Sequence, residues 1–178
     1  MKQMKKSTRN LAFSALCLAL CLVLPLLTGQ IPQIGNMLCP MHLPVLLCGF
    51  LCGPLWGLAV GFIAPLLRGV IFGMPPFFPT GIAMAFELAT YGFVSGALYK
   101  ALRKNTVNLF ISLIVAMIAG RIVWGCVRAI LSGASGAAFT WDMFIAGAFT
   151  TAIPGIILQL IFIPLLVTAL KKSRLMQD

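Results

Sequence analysis

Three arginines, Arg68, Arg121 and Arg128, lie inside long apolar stretches of the chain. A charge deep in hydrocarbon costs from about 2.5 to more than 10 kcal/mol, so such residues usually face a protein-lined cavity and often mark a substrate or ion path. Glu87 is the one carboxylate within these stretches, and it cannot neutralise all three guanidinium groups. The pattern predicts a buried, net-positive polar site that opens to one side of a membrane.

The guanidinium fork of arginine suits a carboxylate, so two arginines could hold an anionic group of a ligand. Arg121 and Arg128 are seven residues apart and share a helical face. Glu87 would orient one guanidinium or accept a ligand hydroxyl. The aromatic residues expected to cover the apolar body of the ligand are Phe77, Phe78, Tyr91 and Trp124.

A structural interpretation of the same residues remains open. Glu87 would then pair with one arginine, while the other arginines extend toward lipid headgroups or donate to backbone carbonyls. This alternative is strongest for Arg68 and Arg128, which lie near the expected outer surface. Arg121 is too deep to reach the surface easily, so the ligand-binding interpretation is favoured there.

The composition excludes an ordinary water-soluble fold, because 61% of residues are apolar and only 9% are charged, against about 25% charged in soluble domains. The 178 residues leave room for about six membrane-spanning helices. We therefore expect an all-α integral membrane protein whose residues 1–178 form one membrane domain. The expected helices are 9–29, 37–52, 56–72, 80–102, 107–131 and 142–170.

The formal net charge of +10 could suggest a nucleic-acid partner, but ten of the thirteen basic residues flank apolar stretches. Such clusters set membrane topology, and the positive-inside rule puts both chain termini in the cytoplasm. The partner is then the lipid bilayer rather than nucleic acid. Residues 30–40, 73–79 and 132–141 become outer connections.

Two of the expected helices are unusual in length. The helix at 37–52 is short and must start early or be sheltered by protein, because exposed irregular backbone is not tolerated in lipid. The helix at 142–170 is long, and we expect it to tilt or to break near Pro154 or Pro164.

Small residues indicate close helix packing. Gly53, Gly57 and Gly61 repeat every four residues, which gives the third helix a smooth stripe for a neighbour. Ala15 and Ala19 form a similar pair on the first helix, either for packing within the chain or for docking another membrane protein.

The residues argue against catalysis and metal binding. An intramembrane enzyme needs a metal cluster, a Ser/His pair or paired carboxylates, and the chain has a single histidine. His42 is expected to be an interfacial or loop-capping residue. The spacing of Cys39 and His42 could be half a metal site, but no second pair accompanies it. We therefore expect no metal and no cofactor, and treat the six cysteines as small hydrophobic residues.

A transporter can work alone or as part of a complex. Glu87 could exchange protons in a stand-alone, proton-coupled secondary transporter of a small organic anion. Such carriers commonly contain two structural repeats, and no convincing internal repeat is visible here.

The sequence resembles the substrate-binding S components of energy-coupling factor (ECF) vitamin transporters, which are ABC-type importers. The resemblance spans most of the chain and depends on four features together: a basic start followed by Ala15-x-x-x-Ala19, and the segments 40–54, 61–69 and 78–92. It implies a substrate-capture subunit in the cytoplasmic membrane of a bacterium or archaeon. This subunit would bind a small vitamin outside and work with a transmembrane T subunit and two cytosolic ATPases.

The resemblance also implies roles for particular residues. An Ala-x-x-x-Ala surface that contacts the T subunit maps onto Ala15 and Ala19. A ligand held by helices 4 to 6 and the outer loops would have Glu87, Tyr91, Arg128 and Trp141 as neighbours. A net-positive pocket favours a carboxylate-bearing vitamin such as pantothenate, while riboflavin, folate, a pyridoxine- or pyrimidine-like compound and a queuosine precursor stay open. No Gly-x-x-x-x-Gly-Lys-Ser/Thr phosphate loop occurs in the chain, consistent with ATP hydrolysis by the partners.

Overall fold

The computed structural model describes residues 2–27, 37–136 and 138–173, and all regular structure in these ranges is helical. We number the α-helices in chain order. They are α1 (Lys2–Leu27), α2 (His42–Cys52), α3 (Pro54–Phe72), α4 (Ile82–Ala101), α5 (Thr106–Ala134), α6 (Trp141–Ile145) and α7 (Ile153–Lys172). Two π-helical turns, Phe77–Gly81 and Ala146–Thr150, precede α4 and follow α6.

Among the residues that the structure describes, five helical segments are long and apolar enough to cross a membrane. They are Ser7–Leu27, Pro54–Phe72, Phe77–Ala101, Thr106–Ala134 and Trp141–Lys172. The sixth apolar helix, α2, has 11 residues and is about 16 Å long at 1.5 Å per residue. Most of α2 is buried in the protein, so its neighbours shelter its short backbone from lipid.

The structure corrects one expected helix and locates the break in another. The segment at 37–52 is helical at 37–38, turns at 40–41 and begins its continuous helix at His42. The helix expected at 142–170 breaks close to Pro154, as expected: α6 continues into the π-helical turn Ala146–Thr150, and a turn at 151–152 precedes α7. Proline explains where α7 restarts, because Pro154 lies in its first turn and has no backbone N–H to continue an earlier helix.

Glycines bring α2, α3 and α4 into backbone contact. A Cβ atom at Gly57 would collide with the backbone of Gly92, and one at Gly61 would collide with the backbone of Leu88. Gly49 of α2 faces Gly92 as well. The predicted small-residue stripe therefore packs against α4 at Gly57 and Gly61. Gly53 instead forms the turn between α2 and α3 with φ of 96°, a conformation that favours glycine.

The core of the bundle forms around α2. Its buried side chains include Val45, Leu46 and Phe50, which pack with residues of α1, α4, α5 and α7. Phe50 lies edge-to-face on Tyr99 of α4 with ring centroids 5.1 Å apart. The resulting scaffold fixes α4 and α5 side by side, and these two helices carry the charged side chains.

Candidate functional site

Glu87 of α4 and Arg121 of α5 form a buried ion pair. Glu87 Oε1 lies 3.0 Å from Arg121 Nη1, and the two side chains are 2% and 7% exposed. A buried carboxylate is tolerated when it is paired and hydrogen-bonded. The expected role of Glu87 in orienting one guanidinium therefore has a structural basis at Arg121.

His42 is the third member of this cluster, and the expectation of an interfacial position was wrong. Its side chain is buried, and Nε2 lies 3.3 Å from Glu87 Oε1. The imidazole also packs edge-to-face on Tyr91, with ring centroids 5.1 Å apart. The start of α2 is thereby held against α4 at two points, Glu87 and Tyr91, which lie one helical turn apart.

Further polar groups surround the pair. Arg121 Nη2 donates to Cys39 Sγ at 3.7 Å, which ties α5 to the segment that precedes α2. Tyr91 fits because the neighbouring residue on α5 is Gly120, where a Cβ would overlap the phenol ring. Within the described ranges, His42 Nδ1 and Arg121 Nε are buried without a hydrogen-bond partner. These atoms could therefore bond a polar group that enters the cluster.

Arg128 borders a separate cavity of about 350 Å³. The cavity is lined by Pro79, Trp124, Arg128, Ser132, Ser135, Ala138, Phe139 and Met143. Arg128 Nη1 donates to Thr80 Oγ1 at 2.9 Å, and no carboxylate of the described residues pairs with it. The cavity is therefore bordered by a guanidinium whose charge is not offset by any carboxylate in the described part of the chain.

Aromatic side chains form one wall of this cavity. Trp124 stacks on Phe144 at 6.3 Å and lies edge-to-face on Phe139 at 6.1 Å between ring centroids. Gly125 and Gly147 leave the room for these rings, since a Cβ at either would overlap Phe144 or Trp124. The wall can contact the apolar body of a ligand while Arg128 binds an anionic end.

Three expected ligand-contacting aromatics lie at exposed positions. Phe77 and Phe78 belong to the turn before α4 and are 53% and 50% exposed. Trp141 is 72% exposed and contacts Phe144 at 5.2 Å between ring centroids. In this conformation Trp141 joins the aromatic wall from outside, and none of the three lines the cavity.

Arg68 is engaged by α1. Its Nη1 donates to the backbone carbonyl of Leu22 at 2.7 Å, and its guanidinium lies over the Phe72 ring, 5.1 Å from the centroid. Pro25 lies within α1 and has no N–H, so the helix donor is missing at the carbonyl of Cys21, one residue before the carbonyl that Arg68 binds. These contacts match the structural alternative in which an arginine binds a backbone carbonyl.

Ala15 and Ala19 lie on an exposed face of α1. The opposite face carries Ser14, Cys17 and Cys21, which are buried against α2. Ser14 Oγ and Cys48 Sγ are 3.5 Å apart across this contact. The alanine pair is therefore not buried against the described part of the chain.

One comparison with known proteins identifies the family. The family described as "ECF transporter, substrate-specific component" matches residues 9–167. The chain belongs to this family. It is a multi-pass membrane protein and the substrate-capture subunit of an ECF importer, a transport subunit rather than a catalyst. No curated protein and no solved structure matches it significantly.

Membership in the family argues against the alternative of a stand-alone carrier. An S component associates with the T and ATPase subunits and binds a small-molecule substrate.

Of the predicted site residues, Glu87 pairs with Arg121, and Arg128 and Trp124 line the cavity. The sequence did not predict that His42 lies beside Glu87. The signal for His42 was present, because the only histidine lies within a fully apolar surrounding sequence, where a polar side chain needs a partner.

Proposed function

We propose that this S component binds a small carboxylate-bearing vitamin at the outer side of the membrane, with pantothenate as the favoured ligand. The observation that carries the proposal is Arg128, a cavity-lining guanidinium without a carboxylate partner among the described residues. An anion bound there would gain charge-assisted hydrogen bonds that a neutral ligand cannot form fully.

The cavity size favours a compact vitamin. A volume of about 350 Å³ is near the lower end of the range for small-molecule sites, roughly 300–1,000 Å³. Pantothenate has a carboxylate at one end, with an amide and hydroxyls elsewhere. Riboflavin and folate are larger, whereas a pyridoxine- or pyrimidine-like compound or a queuosine precursor would not need a carboxylate site.

Arg128 and Arg121 have different tasks in this proposal. Arg121 is compensated by Glu87 at 3.0 Å, so Arg128 is the primary anion contact. Trp124 and Phe139 pack on the apolar part of the ligand, while Ser132 offers a hydroxyl at the cavity wall.

The remaining expected site residues lie around this centre. Glu87, Tyr91 and Arg121 would act from the buried side by orienting one another, and Arg121 also has an unpartnered Nε. The exposed aromatics Phe77, Phe78 and Trp141 would close over a bound ligand. Arg68 stays a prediction as a ligand contact, although its bond to Leu22 supports a structural role.

The proposed topology has six crossings with both termini in the cytoplasm. The five long apolar segments supply five crossings, and α2 supplies the sixth together with the turn before it. The exposed basic residues Lys100, Arg103 and Lys104 lie in the last turn of α4 and just beyond it, which fits a cytoplasmic position. The membrane is the cytoplasmic membrane of a bacterium or archaeon, and Ala15 and Ala19 face the T subunit of a complex with two ATPases.

Native mass spectrometry of the purified protein tests the ligand. We expect a retained small acid whose mass identifies it, with pantothenate as the first candidate. The matched control is Arg128→Ala, purified identically, which should retain much less. An empty wild-type protein that also ignores pantothenate in titrations would refute the pantothenate assignment. Retention of a neutral compound equally by both proteins would refute the anion site.

A further inference from the structure

We propose that Thr80 is the residue that positions Arg128 for ligand recognition, and thereby sets the preference of the cavity for a carboxylate over a neutral group. This inference rests on the proposed function, because it assigns the carboxylate site to the cavity. It starts from the hydrogen bond that Arg128 Nη1 donates to Thr80 Oγ1 at 2.9 Å, the one side-chain hydrogen bond of Arg128 to a described residue.

The turn that carries Thr80 is held rigidly. The N–H of Gly81 donates to the carbonyl of Pro76 at 2.8 Å, and the N–H of Ile82 donates to the carbonyls of Phe77 and Pro79. Gly81 is itself buried. The hydroxyl of Thr80 is therefore presented to α5 from a fixed backbone, next to cavity-lining Pro79.

The geometry leaves most of the N–H donors of Arg128 available to a ligand. A guanidinium has five N–H donors, and Thr80 accepts only from Nη1. An arginine side chain otherwise loses considerable rotamer entropy when it binds. Because Thr80 has already fixed the side chain, less entropy is lost when a carboxylate binds to the remaining donors.

The hydroxyl hydrogen of Thr80 also remains. A threonine oxygen that accepts from arginine can still donate through its own O–H. Valine has nearly the same shape, but its side chain can neither accept nor donate a hydrogen bond. Thr80→Val therefore removes the hydrogen bond with little change in packing, while Thr80→Ser keeps the hydroxyl.

Thr90 provides a matched control. Its hydroxyl donates to the carbonyl of Phe86 within α4 at 2.8 Å, and Thr90 does not line the cavity. Thr90→Val therefore makes the same chemical change on α4, beyond the turn that carries Thr80, without touching Arg128.

The first arm of the test needs no ligand. NMR of protein labelled with ¹⁵N-arginine reports rotation of each guanidinium, and the chain has six arginines. Arg128→Lys identifies the Arg128 signal by its loss. We expect slow rotation in wild type, Thr80→Ser and Thr90→Val, and averaged signals in Thr80→Val. Unchanged Arg128 signals in Thr80→Val would overturn the proposal.

The second arm measures discrimination with pantothenate and with panthenol, in which a neutral hydroxymethyl group replaces the carboxylate. We expect the ratio of the two Kd values to fall in Thr80→Val by at least about threefold, as for loss of an ordinary hydrogen bond. Thr80→Ser and Thr90→Val should keep the wild-type ratio. An equal loss of affinity for both compounds would also overturn the proposal.

The two arms separate this proposal from the ligand assignment. If wild type binds neither compound, the pantothenate assignment fails. The guanidinium spectra still decide whether Thr80 holds Arg128. If pantothenate binds tightly and Thr80→Val changes neither the spectra nor the ratio, the ligand assignment stands and the role of Thr80 is refuted.

Discussion

Arg121 and Arg128 occupy one face of α5, yet only Arg121 pairs with a carboxylate of the described residues. Seven helical residues separate their Cα atoms by about 10 Å along the axis. Arg121 is buried, whereas Arg128 borders the cavity and bonds the neutral hydroxyl of Thr80. Both side chains are cationic, but Glu87 already compensates the charge of Arg121, whereas a ligand can compensate the charge of Arg128.

Replacing Arg128 should remove most of the affinity for an anionic ligand. Arg128→Ala should weaken binding by more than about tenfold, as expected for a charge-assisted hydrogen bond of roughly 1.5–3 kcal/mol. Arg128→Lys keeps the charge but loses the planar fork, so an intermediate affinity is expected. Isothermal titration with pantothenate measures the series. Arg103→Ala, at an exposed position outside the cavity, should bind like wild type, and normal affinity of folded Arg128→Ala would assign Arg128 a structural role.

Breaking the buried ion pair should mainly affect stability. Arg121→Met leaves Glu87 with His42 as its remaining ionisable partner, and loss of one member of a buried pair costs about 3–5 kcal/mol. The double variant Glu87→Leu/Arg121→Met removes both charges and should regain part of that loss. Thermal unfolding in detergent gives the comparison. If the loss of stability in the double variant equals the sum of the losses in Glu87→Leu alone and in Arg121→Met alone, the two residues are not coupled.

The sequence indicated the pairing of Glu87 with an arginine, because one carboxylate among several intramembrane cations has few other partners. It did not indicate which arginine, since that depends on how α4 and α5 are rotated against each other. His42 was misplaced for a related reason. Its position next to a predicted loop suggested the surface, but the tertiary packing of α2 places the ring against Tyr91.

The segment after α6 shows how far helix ends can be predicted from proline. Pro154 correctly indicated a break, which is the turn at 151–152, whereas no proline indicated the π-helical turn Ala146–Thr150 before it. The room that Gly147 leaves for Trp124 is a tertiary contact. No local pattern in the sequence reports such a contact.

Arg68 offers a test of a structural arginine. Arg68→Met keeps an apolar stem but removes the donor to the Leu22 carbonyl, so we expect lower thermal stability, by about 1.5–3 kcal/mol for a hydrogen bond from a charged group. Ligand affinity measured on the folded variant should stay within about twofold of wild type. A tenfold weaker affinity without loss of stability would restore Arg68 to the ligand site.

The contact between α3 and α4 should be intolerant of one methyl group. A Cβ at Gly92 would overlap the backbone of Gly57, and backbone cannot move aside as a flexible side chain can. Gly92→Ala should therefore lower the unfolding temperature or prevent folding. Gly133→Ala is the control, because no atom lies within 4 Å of its added Cβ and alanine favours a helix. Equal stability of the two variants would contradict the observed packing.

Ala15 and Ala19 should separate ligand capture from transport. Both are exposed on α1, so Ala15→Leu/Ala19→Leu adds bulk without entering the core, and vitamin binding to the isolated S component should be unchanged. Small residues let helices approach closely, so the same variant should fail to assemble with the T subunit and should lose uptake. Ala169→Leu, at an exposed position of α7, is the matched control and should transport normally. Impaired ligand binding in the Ala15→Leu/Ala19→Leu variant would show instead that the alanine pair supports the fold. A docking role requires that assembly and uptake are lost while ligand binding is retained.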